Sequence, residues 1–427
     1  MTVLLISLLL FLLIGVPVAY AIGLSALAYF LVYQPVLAHV MPQRMFAQMD
    51  SYTLIALPMF IMMGLLMNSG GITRRLIDFS LAFVGRLRGG LGLVNVFASM
   101  IFGGISGSSS SDTASIGSVL IPEMKRRGYS ARFASGITVA SSTMGMIIPP
   151  SIPMVLYAIV AQESVGRLFL GGLIPGVLIG VLQIFITLAV ARKYDYPRES
   201  TPFSLGGATR QTWRSLPVLL MPIFVVGSVV GGIATPTESA GLAVAYAAVF
   251  GFYIFRELDA KKFWVSAKET IMTSARIMII IGMSGLYLWI LALERIPEMV
   301  AAYVVELDLG VVGTLMLVNF IVLLAGTFID VSPAILLLTP VFLPACESVG
   351  VSPVHFGVLL VSGLAVGACT PPVGNCLNVC AAISRLGIGS IFIGAAPFLA
   401  ANVAVMILVT VFPELVLWIP NTLMGEE

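Results

Sequence analysis

Two carboxylates stand in otherwise apolar stretches, each beside a run of small or hydroxyl residues. Asp112 follows Gly103-Gly104-Ile105-Ser106-Gly107 and the serines Ser108 to Ser111, and Asp330 closes Gly326-Thr327-Phe328-Ile329. A carboxylate inside a membrane costs about 2.5–3.5 kcal/mol on insertion scales, so one kept there is a candidate functional group. Downstream of each lies a double proline, Pro149-Pro150 after Ser141, Thr143 and Gly145, and Pro371-Pro372 after Cys369 and Thr370. Proline nitrogens cannot donate, so each pair breaks its helix and leaves carbonyl oxygens free. Free carbonyls, hydroxyls and a carboxylate make a hard, oxygen-only cage suited to Na⁺. Helix N-termini at the same place offer N–H groups and a positive dipole end to an organic carboxylate.

Three candidate sets follow. The first cation set is Gly107, Ser108, Asp112, Ser141, Thr143, Gly145 and Pro149, and the second is Gly326, Thr327, Asp330, Cys369 and Thr370. Between them, Ser108, Ser109, Ser110, Thr370 and Asn375 are candidates for holding an organic anion, with no Lys or Arg at those positions. Other roles are open to the same residues. Small residues also let membrane helices pack closely; Asp330 could cap the half-helix that follows it, and Glu238, after Thr235-Pro236-Thr237, could cap its own. Arg276 could pair with a carboxylate, but its nearness to a basic segment favours snorkelling.

The two sets are related by an internal repeat. A shift of 222 residues (326 − 104) lays Gly104 on Gly326, Pro122 on Pro344, Gly128 on Gly350, Ser130 on Ser352 and Gly145 on Gly367. Pro149-Pro150 then falls on Pro371-Pro372 without a gap. Glycine and proline set backbone geometry, so these matches predict matching backbone breaks. Interrupted segments at corresponding positions of two hydrophobic halves point to a secondary transporter.

Composition agrees. Of 427 residues 59% are apolar and 10% charged, and the mean hydropathy is +1.06, whereas soluble domains carry roughly a quarter charged residues. The net charge of +2 and the lack of a long basic run give no reason to expect nucleic acid. Cys346, Cys369, Cys376 and Cys380 lie in apolar surroundings and read as packing residues. No Ser/His pair, paired-Asp arrangement or His/Glu metal set is visible, so an intramembrane enzyme is not expected. A channel would account less well for broken helices with buried carboxylates than alternating access does.

The expected architecture is an all-α polytopic membrane protein with an inverted-topology repeat. The first repeat (1–192) holds scaffold helices, an interfacial arm at 70–86, hairpin one at 90–127 and a broken helix at 131–161. A polar linker (193–213) follows. The second repeat (214–427) holds scaffold helices, an arm at 292–308, hairpin two at 312–349 and a broken helix at 352–384. Hairpins that turn back at mid-membrane need protein or water around their tips, because lipid cannot satisfy an unwound backbone. The linker should be cytoplasmic by its basic residues. Hairpin one, flanked by Arg86, Arg88 and Lys125, should enter from the cytoplasm; hairpin two, flanked by Glu306, Asp308 and Glu347, should enter from outside. The stretch 3–33 could be one tilted helix or two short ones broken near Gly15-Pro17.

At these residues the chain resembles the large membrane (M) subunit of TRAP (tripartite ATP-independent periplasmic) transporters, within the ion-transporter superfamily. The resemblance runs nearly end to end. It is carried by Leu57-Pro58-Met59-Phe60, Gly104-Ile105-Ser106-Gly107-Ser108 with Asp112, Ile121-Pro122-Glu123-Met124, and Ile148-Pro149-Pro150-Ser151. In the second half it rests on Gly232-Ile233-Ala234-Thr235-Pro236-Thr237-Glu238, Gly326 to Asp330, and Thr370-Pro371-Pro372-Val373-Gly374. The serine run at 109–111 departs from similar proteins, which more often have Ala or Val there. The resemblance implies a multi-pass protein of the bacterial inner membrane, surrounded by lipid and driven by two or more Na⁺. It implies uptake of a small organic acid, such as a C4-dicarboxylate or sialic acid, by an elevator motion. It also implies two partners, a small four-helix membrane subunit (Q type) and a periplasmic substrate-binding protein (P type). A stand-alone anion/Na⁺ symporter or antiporter of the same superfamily is the alternative.

Overall fold

The computed structural model describes residues 2–197 and 205–426. Among them every regular element is a helix. The chain opens with two short helices, α1 (Thr2–Leu13) and α2 (Val18–Tyr33), parted at Gly15 and Pro17. They fold back on each other, and Thr2 Oγ1 lies 3.4 Å from the Tyr33 hydroxyl. The stretch 3–33 is therefore two helices. After α3 (Met41–Met49), helix α4 (Ala56–Ser69) crosses to the amphipathic arm α5 (Ile72–Val84).

Hairpin one follows as α6 (Gly90–Ser106) and α7 (Ser109–Arg126), turning at Gly107 and Ser108. Gly107 has φ +61°, in the left-handed region, and a Cβ there would lie 3.1 Å from the Pro150 carbonyl oxygen. Both facts call for glycine. The first broken helix runs as α8 (Ala131–Ser142), the single turn α9 (Met144–Ile147) and α10 (Ile152–Ala161), and α11 (Val165–Lys193) closes the repeat.

Helix α12 (Leu205–Val230) begins inside the expected linker at 193–213. Residues 198–204 of the linker lie outside the described residues. Then come α13 (Pro236–Val249), the long α14 (Ala260–Leu293), the second arm α15 (Ile296–Glu306), and hairpin two as α16 (Gly310–Phe328) and α17 (Val331–Glu347). The second broken helix is α18 (Pro353–Gly367) and α19 (Asn375–Ser384), followed by α20 (Ile388–Val411) and α21 (Glu414–Met424). Thr235 and Glu238 form a reciprocal capping box at the start of α13, so Glu238 is a cap. Arg276 is exposed and joins none of the ion pairs among the described residues.

The two repeats pack crosswise: α7 lies on α19, and α17 lies on α10. Their ends fix the relative direction. Lys125 Nζ donates to the Ser384 carbonyl at 3.4 Å and Arg132 Nε to Ser390 Oγ at 3.3 Å, so the base of hairpin one and the end of α19 share one face. Tyr157 donates to the Pro353 carbonyl at 2.6 Å, which puts the end of α10 beside the start of α18 on the other face. The broken helices therefore run antiparallel, as an inverted repeat requires. Glycines allow the close approach within each half. A Cβ on Gly103 would lie 2.9 Å from the Gly145 Cα, and one on Gly326 3.1 Å from the Gly367 Cα.

Eight helices among the described residues are long and apolar enough to cross a membrane. Their outward faces expose large apolar side chains such as Phe185, Ile223, Phe320 and Ile393. An apolar surface of this extent suits lipid rather than water. One apolar core joins the hairpins and broken helices, and a smaller cluster around Leu4, Ile22, Tyr29, Phe30, Leu286 and Ile290 ties α1 and α2 to α14.

Candidate functional site: two helix breaks and two hairpin tips

The first tip is built around Asp112, which is fully buried in the first turn of α7. Ser106 Oγ donates to its Oδ1 and also accepts from the Ser108 backbone N–H at 3.2 Å. The Asp112 backbone N–H reaches the Ser108 carbonyl at 3.0 Å, so the turn is closed by its own chain. Asp112 Oδ2 has no hydrogen-bond partner. It faces the break of the first broken helix, where a Cβ on Gly145 would collide with it. None of the ion pairs among the described residues includes Asp112. A buried carboxylate without a charged partner is costly enough to require a cation or a proton beside it.

Around it residues of the first candidate set approach through backbone rather than side chains. Gly104 packs on the Pro149 carbonyl oxygen, with a built Cβ 3.0 Å away, and Gly107 packs on that of Pro150. The hydroxyls of Ser141 and Thr143 are committed elsewhere. Ser141 bonds Ser99 Oγ at 2.9 Å and Asn95 Oδ1 at 3.0 Å. Thr143 Oγ1 donates to the Ala140 carbonyl at 2.7 Å and accepts from Asn402 Nδ2 at 2.8 Å. The protons of those two hydroxyls are therefore spent within the protein, and a cation there would meet only oxygen lone pairs, from backbone or hydroxyl. The donor set near Asp112 is all oxygen and carries one negative charge, which fits Na⁺ in kind.

The second tip is open. Asp330 is exposed and occupies the N-cap position of α17, yet its side chain makes no capping bond. Instead Asn375 Nδ2 donates to its Oδ1 at 2.7 Å, linking the tip to the first residue of α19. The Val373 N–H donates to the Thr327 carbonyl at 3.2 Å. The hydroxyls of Thr327 and Thr370 bond to their own helices, at the carbonyls of Leu324 and Val366. Cys369 is buried and its thiol points to the Val139 carbonyl at 3.5 Å.

The first tip also touches both broken helices. Ser109 Oγ lies 3.0 Å from Cys376 Sγ of α19, and Thr113 donates to Ser142 Oγ of α8 at 2.8 Å. Ser109 is therefore turned into the protein, while Ser108 and Ser110, 3.1 Å apart at their hydroxyls, line the accessible side. Of the anion candidates, Ser108, Ser110, Thr370 and Asn375 are at least partly exposed. Sequence reasoning passed over Ser106, Asn95, Gln183 and Asn402. The last three are polar side chains within long apolar segments, which is a usable signal of a buried role.

The model of the tripartite ATP-independent periplasmic transporter family, DctM component, matches residues 5–415. The chain is 38% identical to the C4-dicarboxylate TRAP transporter large permease protein DctM of Pseudomonas aeruginosa, covering 94% of each. It is 34% identical to the sialic acid TRAP transporter large permease protein SiaM of Vibrio cholerae, covering 96% of each. The crystal structure of the Alcanivorax borkumensis YdaH transporter, described as having an unusual topology, is similar in fold, with a TM-score of 0.63 at 15% identity over 88% of each chain.

Proposed function

The chain belongs to the DctM-component family of tripartite ATP-independent periplasmic transporters, and from that membership we propose that it couples Na⁺ entry to uptake of a small organic anion. It is a multi-pass membrane transport protein rather than an enzyme. The reading rests above all on Asp112, a fully buried carboxylate with one unpartnered oxygen against a helix break. Na⁺ held there would meet Asp112 Oδ2 and carbonyl oxygens of the 141–150 segment. A second Na⁺ would sit at the open tip, near Asp330 and the Thr327 and Thr370 region.

The organic anion lies between the tips, its carboxylate held by hydroxyls and N–H groups around Ser108, Ser110, Thr370 and Asn375. With no Lys or Arg there, affinity depends on the bound cations. A C4-dicarboxylate and sialic acid are the substrate classes named for the relatives, and an acid of this kind is expected here. The hairpins then act as re-entrant elements that move with the broken helices in an elevator motion. The location is the bacterial inner membrane, the partners a small Q-type membrane subunit and a P-type periplasmic binding protein. The 193–213 linker faces the cytoplasm.

Reconstitution in proteoliposomes with both partners tests this. Uptake driven by an inward Na⁺ gradient and lost when K⁺ replaces Na⁺ is the expected result. Uptake indifferent to that replacement overturns the coupling. Equal uptake with the binding protein left out would favour a stand-alone symporter or antiporter instead.

A further inference from the structure

Two buried amides from outside the hairpins reach the first helix break. Gln183, on α11, is fully buried and donates from Nε2 to the Ala140 carbonyl at 3.0 Å and to Asn402 Oδ1 at 2.8 Å. Asn402, on α20 and equally enclosed, donates from Nδ2 to Thr143 Oγ1 at 2.8 Å. Thr143 Oγ1 in turn donates to the same Ala140 carbonyl at 2.7 Å. The four groups form a closed ring in which Gln183 donates both ways and the two arms converge on the Ala140 carbonyl. The ring sits where the regular helix stops, between the end of α8 at Ser142 and the start of α9 at Met144.

A helix that breaks inside the membrane frees backbone groups that only protein can satisfy. Here the Ala140 carbonyl takes Gln183 Nε2 from α11 at 3.0 Å and Asn402 Nδ2 from α20 at 3.5 Å, which fixes both that carbonyl and the Thr143 rotamer. Two residues on, Gly145 backs onto the free oxygen of Asp112. The second break is not built this way: the positions equivalent to Ala140 and Thr143 are Ser362 and Ala365 (140 + 222 and 143 + 222). Neither offers a threonine hydroxyl for an amide to hold.

We propose that Gln183 and Asn402 are positioning residues for the first cation site, setting the 143–147 turn against Asp112 and thereby the affinity for Na⁺. This rests on the reading of that site as a Na⁺ site. They touch neither Asp112 nor the candidate anion residues by any hydrogen bond described. Any effect on the anion would therefore come through cation affinity.

The test is the dependence of thermal stability on Na⁺ in purified protein, with K⁺ holding ionic strength constant. A ligand that binds the folded state raises the melting temperature with a midpoint set by its dissociation constant. Asn402→Leu should raise the apparent Na⁺ dissociation constant about tenfold, equivalent to about 1.4 kcal/mol. Gln183→Leu, which spares the bond to Thr143, should raise it about threefold, and stands in if Asn402→Leu does not fold. Asn319→Leu is the control. That residue is also buried and donates to Thr410 Oγ1 at 2.7 Å, away from the break. It should lower the melting temperature in K⁺ while leaving the Na⁺ dissociation constant within twofold. If the ring variants behave like Asn319→Leu, the ring is merely structural and the proposal fails. If the unaltered protein shows no Na⁺-dependent shift at all, the Na⁺ reading itself fails, and this inference with it.

Discussion

The two tips share a backbone plan and differ in chemistry. Each has a hairpin glycine against a glycine of its broken helix, and each break carries a cis Pro-Pro peptide, at 149–150 and 371–372. Yet the carboxylates are not equivalent by the repeat. Asp112 corresponds to Ala334, and Asp330 corresponds to Ser108 (112 + 222 and 330 − 222). One tip buries its charge beneath the turn, with an oxygen unpartnered; the other exposes its charge at the cap position and pairs it with Asn375. A fold copied twice thus supplies two similar frames, and a few side chains make one a closed cage and the other an accessible face. The buried carboxylate needs a cation or a proton beside it, whereas the exposed one has water.

The largest expected contrast follows from that difference. Asp112→Asn should reduce Na⁺-driven uptake at least a hundredfold. In Na⁺-free buffer at alkaline pH, where no proton covers the carboxylate, it should raise the melting temperature by several degrees, because a buried unpaired charge costs several kcal/mol. Asp330→Asn should leave the Na⁺-free melting temperature within about one degree. Equal shifts in the two variants would erase the distinction between closed and open tips.

The shared backbone plan predicts equal damage instead. Gly145→Ala drives a methyl into Asp112, and Gly367→Ala places a Cβ 2.7 Å from the Gly326 Cα. Each should cut uptake more than tenfold, measured in proteoliposomes at matched protein amounts. A harmless Gly367→Ala would mean the halves are not packed alike.

Smaller effects are expected at the accessible face. Ser108→Ala and Thr370→Val should each raise the half-saturating concentration of the organic anion about three- to tenfold, since one hydrogen bond contributes about 0.5–1.5 kcal/mol. Melting temperatures should hardly change. If uptake by both variants matches the original protein at low substrate, the anion binds elsewhere. Smallest of all, Asn375→Ala should weaken anion affinity about threefold by freeing Asp330 to repel it, an effect that added salt should shrink.

The sequence by itself determined the membrane class, the repeat and the places where helices break. Those follow from apolar composition and from Gly and Pro, whose backbone consequences are local and survive any context. It also singled out Asp112 and Asp330, because a carboxylate in an apolar run is conspicuous. It could not rank them, since burial is a property of neighbours: Gly145, 33 positions from Asp112 (145 − 112), closes one site, while Asp330 is left exposed. Nor could it tell that Ser109 turns inward to Cys376, or that Asp330 bonds Asn375 rather than capping its helix. Hydroxyl direction was equally hidden: the hydroxyls of Ser141 and Thr143 belong to internal networks. The ring of Gln183 and Asn402 joins helices far apart in sequence. Only packing of α11 and α20 against the break decides it, because a hydrogen bond across such a separation has no local pattern to announce it.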